Sequence, residues 1–270
     1  MTTAPAIIDG ESILAAISRD LQKGSTSLPM LPRAAGEALE LARSTSFDVA
    51  RLSQVISSEP ALAARLLSVA NSALYARGQQ LASVRHAIVR LGPQATRDVL
   101  YQSVYATVVF DAPGFRDLVD ASFHRGVVGA KLARELSRRF GVDADVAYLC
   151  ALLRDIGEAR LWRLVAKRRP RGFEQADALA AVATLHGQAG AELAKAWRLP
   201  AETQEACTGH HAEGGTAVAR LTRFVDLLVD TAAGRIDPQI LEDLAASSGL
   251  SGELPSLLVA AKEADVASAA

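Results

Sequence analysis

The chain has 270 residues, half of them hydrophobic and only 5% aromatic, with a formal net charge of −1 at pH 7. That length bounds it to one large domain or two small ones, and the near-neutral charge argues against strong non-specific nucleic-acid binding by the chain as a whole. Its N-terminus lacks a basic region followed by an apolar run, and no apolar stretch approaches the roughly 20 residues of a membrane helix, so a soluble, cytoplasmic protein is expected.

Strand signals are nearly absent, and the chain reads as helices punctuated by Gly, Pro and Ser. A first helix is predicted over 11–23, ending near Gly24. Leu28-Pro29-Met30-Leu31-Pro32 is extended, because each proline pushes its predecessor out of the helical region. A helix over 33–43 should bury Ala34, Ala38, Leu41 and Ala42. The next, over 48–57, turns Leu52, Val55 and Ile56 inward, and Pro60 opens one running to about Ser72. Ser83 can cap a helix that Gly92-Pro93 breaks; Pro93 then opens another ending before Asp111. The segment 99–110 is rich in Val and Tyr, but its apolar residues recur at spacings of three and four, which selects helix over strand.

Asp111-Ala112-Pro113-Gly114 reads as a turn and a subdomain seam. A long helix over 115–140 follows, stopped by Gly141. Helices are then predicted over 145–155, with Gly157 as a left-handed cap, and over 158–167, 176–184, 187–197, 201–207, 216–232, 238–247 and 254–267. Residues 266–270 are expected to fray. Two cysteines, Cys150 and Cys207, are too few for a disulfide framework and read as buried free thiols in a reducing compartment.

Divalent metals in hydrolases are held by neutral imidazoles and carboxylates, which a helical bundle can collect from facing helices. His124, Asp155, His186, His210, His211 and Asp226 are such residues. Each alone has a plain explanation: a helix cap, a surface histidine, or an aspartate turned outward. Asp226 lies amid Phe224, Val225, Leu227 and Leu228, so it needs a partner if it faces inward. A His-Asp pair at 154–155 would complete the set. Arg154-Asp155 instead puts a permanent cation where the imidazole would stand.

Several of these segments resemble the HDOD family, the output-type relatives of HD-domain phosphohydrolases. Leu28-Pro29-Met30-Leu31-Pro32 resembles its opening Leu-Pro-x-Leu-Pro. Glu59-Pro60-Ala61-Leu62 and the run Leu66-Leu67-Ser68-Val69-Ala70-Asn71-Ser72-Ala73-Leu74-Tyr75 resemble its Asp-Pro-x-Leu and Leu-Leu-x-x-Ala-Asn-Ser-x-x-Tyr, with Glu59 where Asp is usual. Ala87-Ile88-Val89-Arg90-Leu91-Gly92 resembles its Ala-(x)3-Leu-Gly. In the second half His124 matches the first ligand histidine of HD bundles, Arg154-Asp155 falls at the His-Asp dyad, and Asp226 matches the final Asp. His186-Gly187-x-x-Gly190 and His210-His211 are similar to segments of HD-GYP cyclic-di-GMP phosphodiesterases, but Ala212-Glu213-Gly214-Gly215 follows and the Gly-Tyr-Pro signature is missing.

The resemblance implies an all-α fold, an HD-type multi-helix bundle with an N-terminal helical subdomain. Its expected divisions are an N-terminal helix and linker (1–27), a helical subdomain (28–112), a degenerate HD-like bundle (113–262) and a tail (263–270). It further implies a remnant metal pocket and a signalling role without established chemistry. A guanidinium about 4 Å from a divalent ion would cost on the order of 8 kcal/mol at an effective dielectric of about 20, so no catalytic residue, resident metal or cofactor is expected. Arg154 has two readings: a plug paired with Asp155, Asp226 or Glu158, or a bidentate site for phosphate or carboxylate. Arg160, Arg163, Lys167 and Arg171, spaced by three, four and four beside Arg168 and Arg169, read either as a solvated face or as a docking stripe for an anionic partner, with Pro170 expected to break the helix before Arg171. The expected partners are signalling proteins, including components of a cyclic-di-GMP or two-component pathway, or a nucleotide ligand. Nucleic acid is disfavoured and a membrane is not expected. The competing readings are a phosphodiester or nucleotide hydrolase with an altered metal set, and a nucleotide sensor.

Overall fold

A computed structural model of the chain describes residues 15, 17–19, 21, 31–44, 46–76, 78–109, 112–168 and 175–269. Of the helix expected over 11–23, residues 15, 17–19 and 21 are described and are helical; the rest of it, residues 28–30 of the Leu-Pro segment, Asp111, Arg169 and Arg171 lie outside the described residues. The fold is all-α. Among the described residues twelve helices form and no strand does, and no helix is long and apolar enough to cross a membrane. The chain divides into two compact units, Pro29–Thr107 and the remainder.

The smaller unit carries α1 (Arg33–Arg43), α2 (Val49–Ser57), α3 (Pro60–Ala70) and nearly all of α4 (Val84–Val109). Local chemistry sets their ends. Asp48 caps α2, its Oδ1 accepting from the Ala50 and Arg51 amides at 2.9 and 3.0 Å, and Pro60 occupies the first turn of α3. Gly92, at φ 74°, breaks the helical path of α4 ahead of Pro93. The buried face of α1 is Ala35, Ala38, Leu39 and Ala42, turned by about one residue from the stripe expected through Ala34 and Leu41. The Asn71 side chain pairs with the Leu81 backbone through two 2.8 Å hydrogen bonds, Nδ2 donating to its carbonyl and Oδ1 accepting from its amide. Arg90 adds bonds to the Ala70 and Gln79 carbonyls. The Ala-Asn-Ser motif thus folds the 71–83 connection back on its own helix end.

In the larger unit α5 (Arg116–Phe140) lies along α6 (Ala144–Leu153), α10 (Ala217–Ala232) and α12 (Leu254–Ala269). It ends at Gly141 in the left-handed conformation, φ 68°. From Ala147 to Leu153 every residue of α6 is buried, as expected of a helix apolar on all sides. Helices α7 (Ile156–Arg168), α8 (Gln175–Ala196) and α9 (Ala201–Gly209) pack in series, and α11 (Pro238–Ser247) lies against α10. α12 runs to Ala269.

Two corrections bear on the site. The segments 176–184 and 187–197 form one helix, so His186 sits inside α8 rather than at a helix start. Gly157 is not a left-handed cap; it lies within the first turn of α7. A Cβ there would overlap the His186 carbonyl and stand 2.6 Å from the Gly190 nitrogen. One at Gly187 would stand 2.8 Å from the Cys207 carbonyl oxygen, and one at Gly190 3.1 Å from the Cys207 Sγ. The glycines therefore let α7, α8 and α9 approach at backbone distance.

Candidate functional site

That close approach brings Asp155, His186, His210 and His211 together. Asp155 sits in the turn between α6 and α7, His186 on α8, and His210-His211 just past α9. One ligand atom from each lies within 4.8 Å of all the others. His186 Nε2 is 3.2 Å from His210 Nε2 and 3.1 Å from His211 Nε2. Asp155 Oδ1 is 3.1 Å from His210 Nε2 and 3.8 Å from His186 Nε2. Asp155, His186 and His210 are buried and His211 is exposed.

Arg154 lies on the other side of Asp155 and is fully buried. Its Nε donates to Asp226 Oδ1 at 2.9 Å and stands 3.3 Å from Asp155 Oδ2. Its Nη1 donates to the Ala151 carbonyl at 2.8 Å, and its Nη2 is 2.9 Å from Asp226 Oδ1. Of the two sequence readings this is the plug geometry, since no part of the guanidinium reaches solvent. Asp226 faces inward, and Arg154 is the partner its apolar surroundings demanded. Glu158 pairs instead with Arg125 at 3.0 Å. Sequence reading missed Gly129. A Cβ there would stand 2.8 Å from Arg154 Nη1 and 3.2 Å from a Val225 methyl, so the missing side chain is the space the guanidinium occupies. A small residue on the buried face of α5, facing a large buried cation, was the signal available.

The electrostatics follow from this geometry. Burial opposes charge on Arg154, but Asp155 and Asp226 raise its pKa above its already high ordinary value. Burial alone would raise the Asp155 pKa; the Arg154 charge, aided by His210, holds it well below the usual carboxylate range. Burial opposes charge on His210, but the hydrogen bond to Asp155 and the charges of Asp155 and Asp226 together outweigh it and shift its pKa up. His211 is shifted down by desolvation and by the neighbouring His210. Glu158 is raised by burial and by Asp155.

His124 is not part of the cluster; its Nε2 lies 2.8 Å from Asp265 Oδ1 on α12. The basic stripe is also corrected. Arg160 is buried, its Nη1 donating to Glu192 at 2.7 Å and to the Ala189 carbonyl at 3.0 Å across the α7–α8 contact. It ties two helices together and does not share a solvent face with the exposed Lys167. Arg163 is half-buried, and the Arg168 side chain lies outside the described residues. A separate cleft of about 930 Å³ opens between α5, α10 and α11, lined in part by Arg139, Arg220 and Arg223.

No protein of curated function matches the chain. Among solved structures it is similar to a Shewanella amazonensis SB2B protein named only provisionally as a metal-dependent phosphohydrolase, with 18% identity over 96% of this chain and 98% of that one and a TM-score of 0.72. It is also similar to an HDOD domain protein of unknown function from Geobacter sulfurreducens, at 18% identity, 95% and 98% coverage and TM-score 0.64. A third is a Marinobacter aquaeolei VT8 protein named provisionally for signal transduction, at 21% identity, 97% and 66% coverage and TM-score 0.63. At these identities the likeness is one of fold. The HDOD domain family model matches residues 28–213, well over half of the chain, and the chain therefore belongs to the HDOD family.

Proposed function

We propose that this chain is a non-enzymatic regulatory protein, acting through protein or small-ligand binding on a degenerate HD frame. The observation that carries the reading is the buried guanidinium of Arg154 held by Asp226 and Asp155. A hydrolytic pair of ions would require Asp155 and Asp226 to share cations in that space. Arg154 fills it with a charge that cannot be discharged and that would repel a divalent ion about 4 Å away by on the order of 8 kcal/mol at an effective dielectric of about 20. Catalytic residues and a cofactor are absent from this reading. Its partners are signalling proteins, with cyclic-di-GMP and two-component pathways as the first to screen. The cleft between α5, α10 and α11, where Arg139, Arg220 and Arg223 stand beside Glu213 and Asp243, is the place to screen for a small ligand as the alternative input.

The test is turnover. Cyclic di-GMP, linear dinucleotides and nucleotides are incubated with the protein in the presence of Mn, Fe, Mg or Zn, and products are separated chromatographically. The expected result is no hydrolysis above a protein-free blank. Turnover that disappears in a folded Asp155→Asn variant would overturn the proposal.

A further inference from the structure

None of Asp155, His186, His210 and His211 lines the cleft of about 930 Å³ between α5, α10 and α11. Its charges are unevenly matched. Arg139 is already paired with Glu253. Asp243, on α11, accepts from Gln239 Nε2 at 2.9 Å through Oδ1. Glu213 is 94% exposed and comes only within 3.9 Å of Arg223 Nη2, a contact that water largely screens. Arg220 and Arg223 stand three residues apart on α10, neighbours on the helix surface. Backbone oxygens hold both: Arg220 Nη1 donates to the Gly215 carbonyl at 2.8 Å, and Arg223 Nη1 to the His211 carbonyl at 3.4 Å. A carbonyl orients a guanidinium without cancelling its charge, and each such bond uses one of five N–H donors. The cleft also has an apolar part. Phe140, at the end of α5, is half-buried and packs on Phe224 with ring centroids 5.8 Å apart, while α11 supplies Leu244 and Ile240, the latter 48% exposed.

We infer that this cleft binds a nucleoside phosphate, with the phosphate on Arg220 and Arg223 and the base against Phe140, Ile240 and Leu244. An inorganic anion would leave the apolar residues unused, and an apolar ligand would desolvate two guanidiniums without return. A ligand with an anionic end and a flat apolar body satisfies both. Guanidiniums meet phosphate oxygens through charge-assisted, often bidentate hydrogen bonds, and every base offers a face to an aromatic ring. Asp243 fits the same ligand: Oδ1 is engaged with Gln239, and Oδ2 remains to accept from a base amino group. The volume lies within the about 300–1,000 Å³ of small-molecule sites. Such a site rests on the small-ligand arm of the regulatory reading and gives that input a chemical class.

The experiment titrates the full chain with ADP and with GDP by isothermal calorimetry, in a chelating buffer so that no metal ion carries the ligand. Expected is one equivalent of at least one of them per chain. The matching nucleoside and pyrophosphate should each bind at least about tenfold more weakly, since each forfeits one half of the contacts. Arg220→Gln and Arg223→Gln should each weaken binding by about tenfold or more, the size of one lost charge-assisted hydrogen bond. Ile240→Asp sets a carboxylate among the apolar contacts and should abolish binding; Arg220 and Ile240 are both exposed, so neither change threatens the fold. Arg85→Gln, on the exposed surface of the smaller unit, should bind like wild type. No binding of either nucleotide up to about 1 mM, the weak end of specific recognition, overturns the inference. So does pyrophosphate binding as tightly as the nucleotide, or an affinity unchanged in both arginine variants. Binding lost in His211→Gln but kept in Arg220→Gln would also overturn it, by placing the ligand at the histidines. Recovered nucleotide is chromatographed after the same incubation repeated with Mn: turnover there would count against the non-enzymatic reading while leaving the cleft's ligand in place.

Discussion

Replacing Arg154 by Met tests whether the guanidinium holds the interior of the bundle together. The side chain is fully buried, with contacts to Asp226 at 2.9 Å, to Asp155 at 3.3 Å and to the Ala151 carbonyl at 2.8 Å. Methionine fills part of the volume but leaves the Asp226 carboxylate buried, with His211 Nδ1 3.9 Å away on an imidazole that is itself shifted toward its neutral form. Asp155 keeps His210. Removing one partner of a buried ion pair costs about 3–5 kcal/mol. For a folding unit of 150–250 residues each kcal/mol corresponds to about 2–4 °C, so the variant should melt about 6–20 °C below wild type. Both tryptophans, Trp162 and Trp197, lie in this unit and report its unfolding directly. The reciprocal arm is the pair Arg154→Met with Asp226→Leu, which removes the charge and its counter-charge together. It should be more stable than Arg154→Met alone, because the uncompensated carboxylate is gone. A single variant melting within about 2 °C of wild type, against this expectation, or a pair whose losses simply add, would refute the plug.

Gly129→Ala would place a Cβ 2.8 Å from Arg154 Nη1 and 3.2 Å from Val225; a loss of about 1–3 kcal/mol is expected, read by urea unfolding and reduced when Arg154 is already Met. Asn71→Ala removes both hydrogen bonds to the Leu81 backbone, which should cost about 1–3 kcal/mol in the smaller unit and speed hydrogen exchange at Leu81 while leaving the tryptophan-monitored transition in place. Burial pushes the Cys150 thiol up to about 12 and raises that of Cys207 as well, so neither should react with a thiol reagent at pH 8 until the chain unfolds. Because those folded-state values are raised, the stability they contribute is present below the ordinary thiol pKa of about 8.5 and is lost as pH climbs from there toward 12. Alkaline denaturation should therefore be shallower in Cys150→Ala.

Helix ends were legible from sequence wherever the determinant was local. Asp48 bonds amides two and three residues ahead, Gly92 kinks α4 beside its own proline, and Gly141 closes α5 in a conformation that disfavours other residues. Buried faces were read less well. The stripe of α1 came out turned, because an alanine-rich helix offers several nearly equal apolar faces and only packing chooses among them. Gly157 was read as a helix cap and Gly187 as a helix start for the same reason: glycine marks a turn, a cap or a close approach, and only the neighbouring helix distinguishes them. Arg160 lay on the expected stripe by spacing, yet its partner Glu192 lies 32 residues away and draws it inside.

The amino-acid order alone determined the helical class, the positions of most helix boundaries, and the set of residues from which a site could be drawn, all through interactions spanning a few residues. Tertiary structure decided which of those residues meet. Arg154 finds Asp226 at a separation of 72 residues, His124 goes to Asp265 instead of joining the other histidines, and the three remaining imidazoles converge through glycine-lined helix contacts. Side-chain spacing along a helix fixes a direction, but partnership depends on which helix lies opposite, and that is set by how the whole core packs.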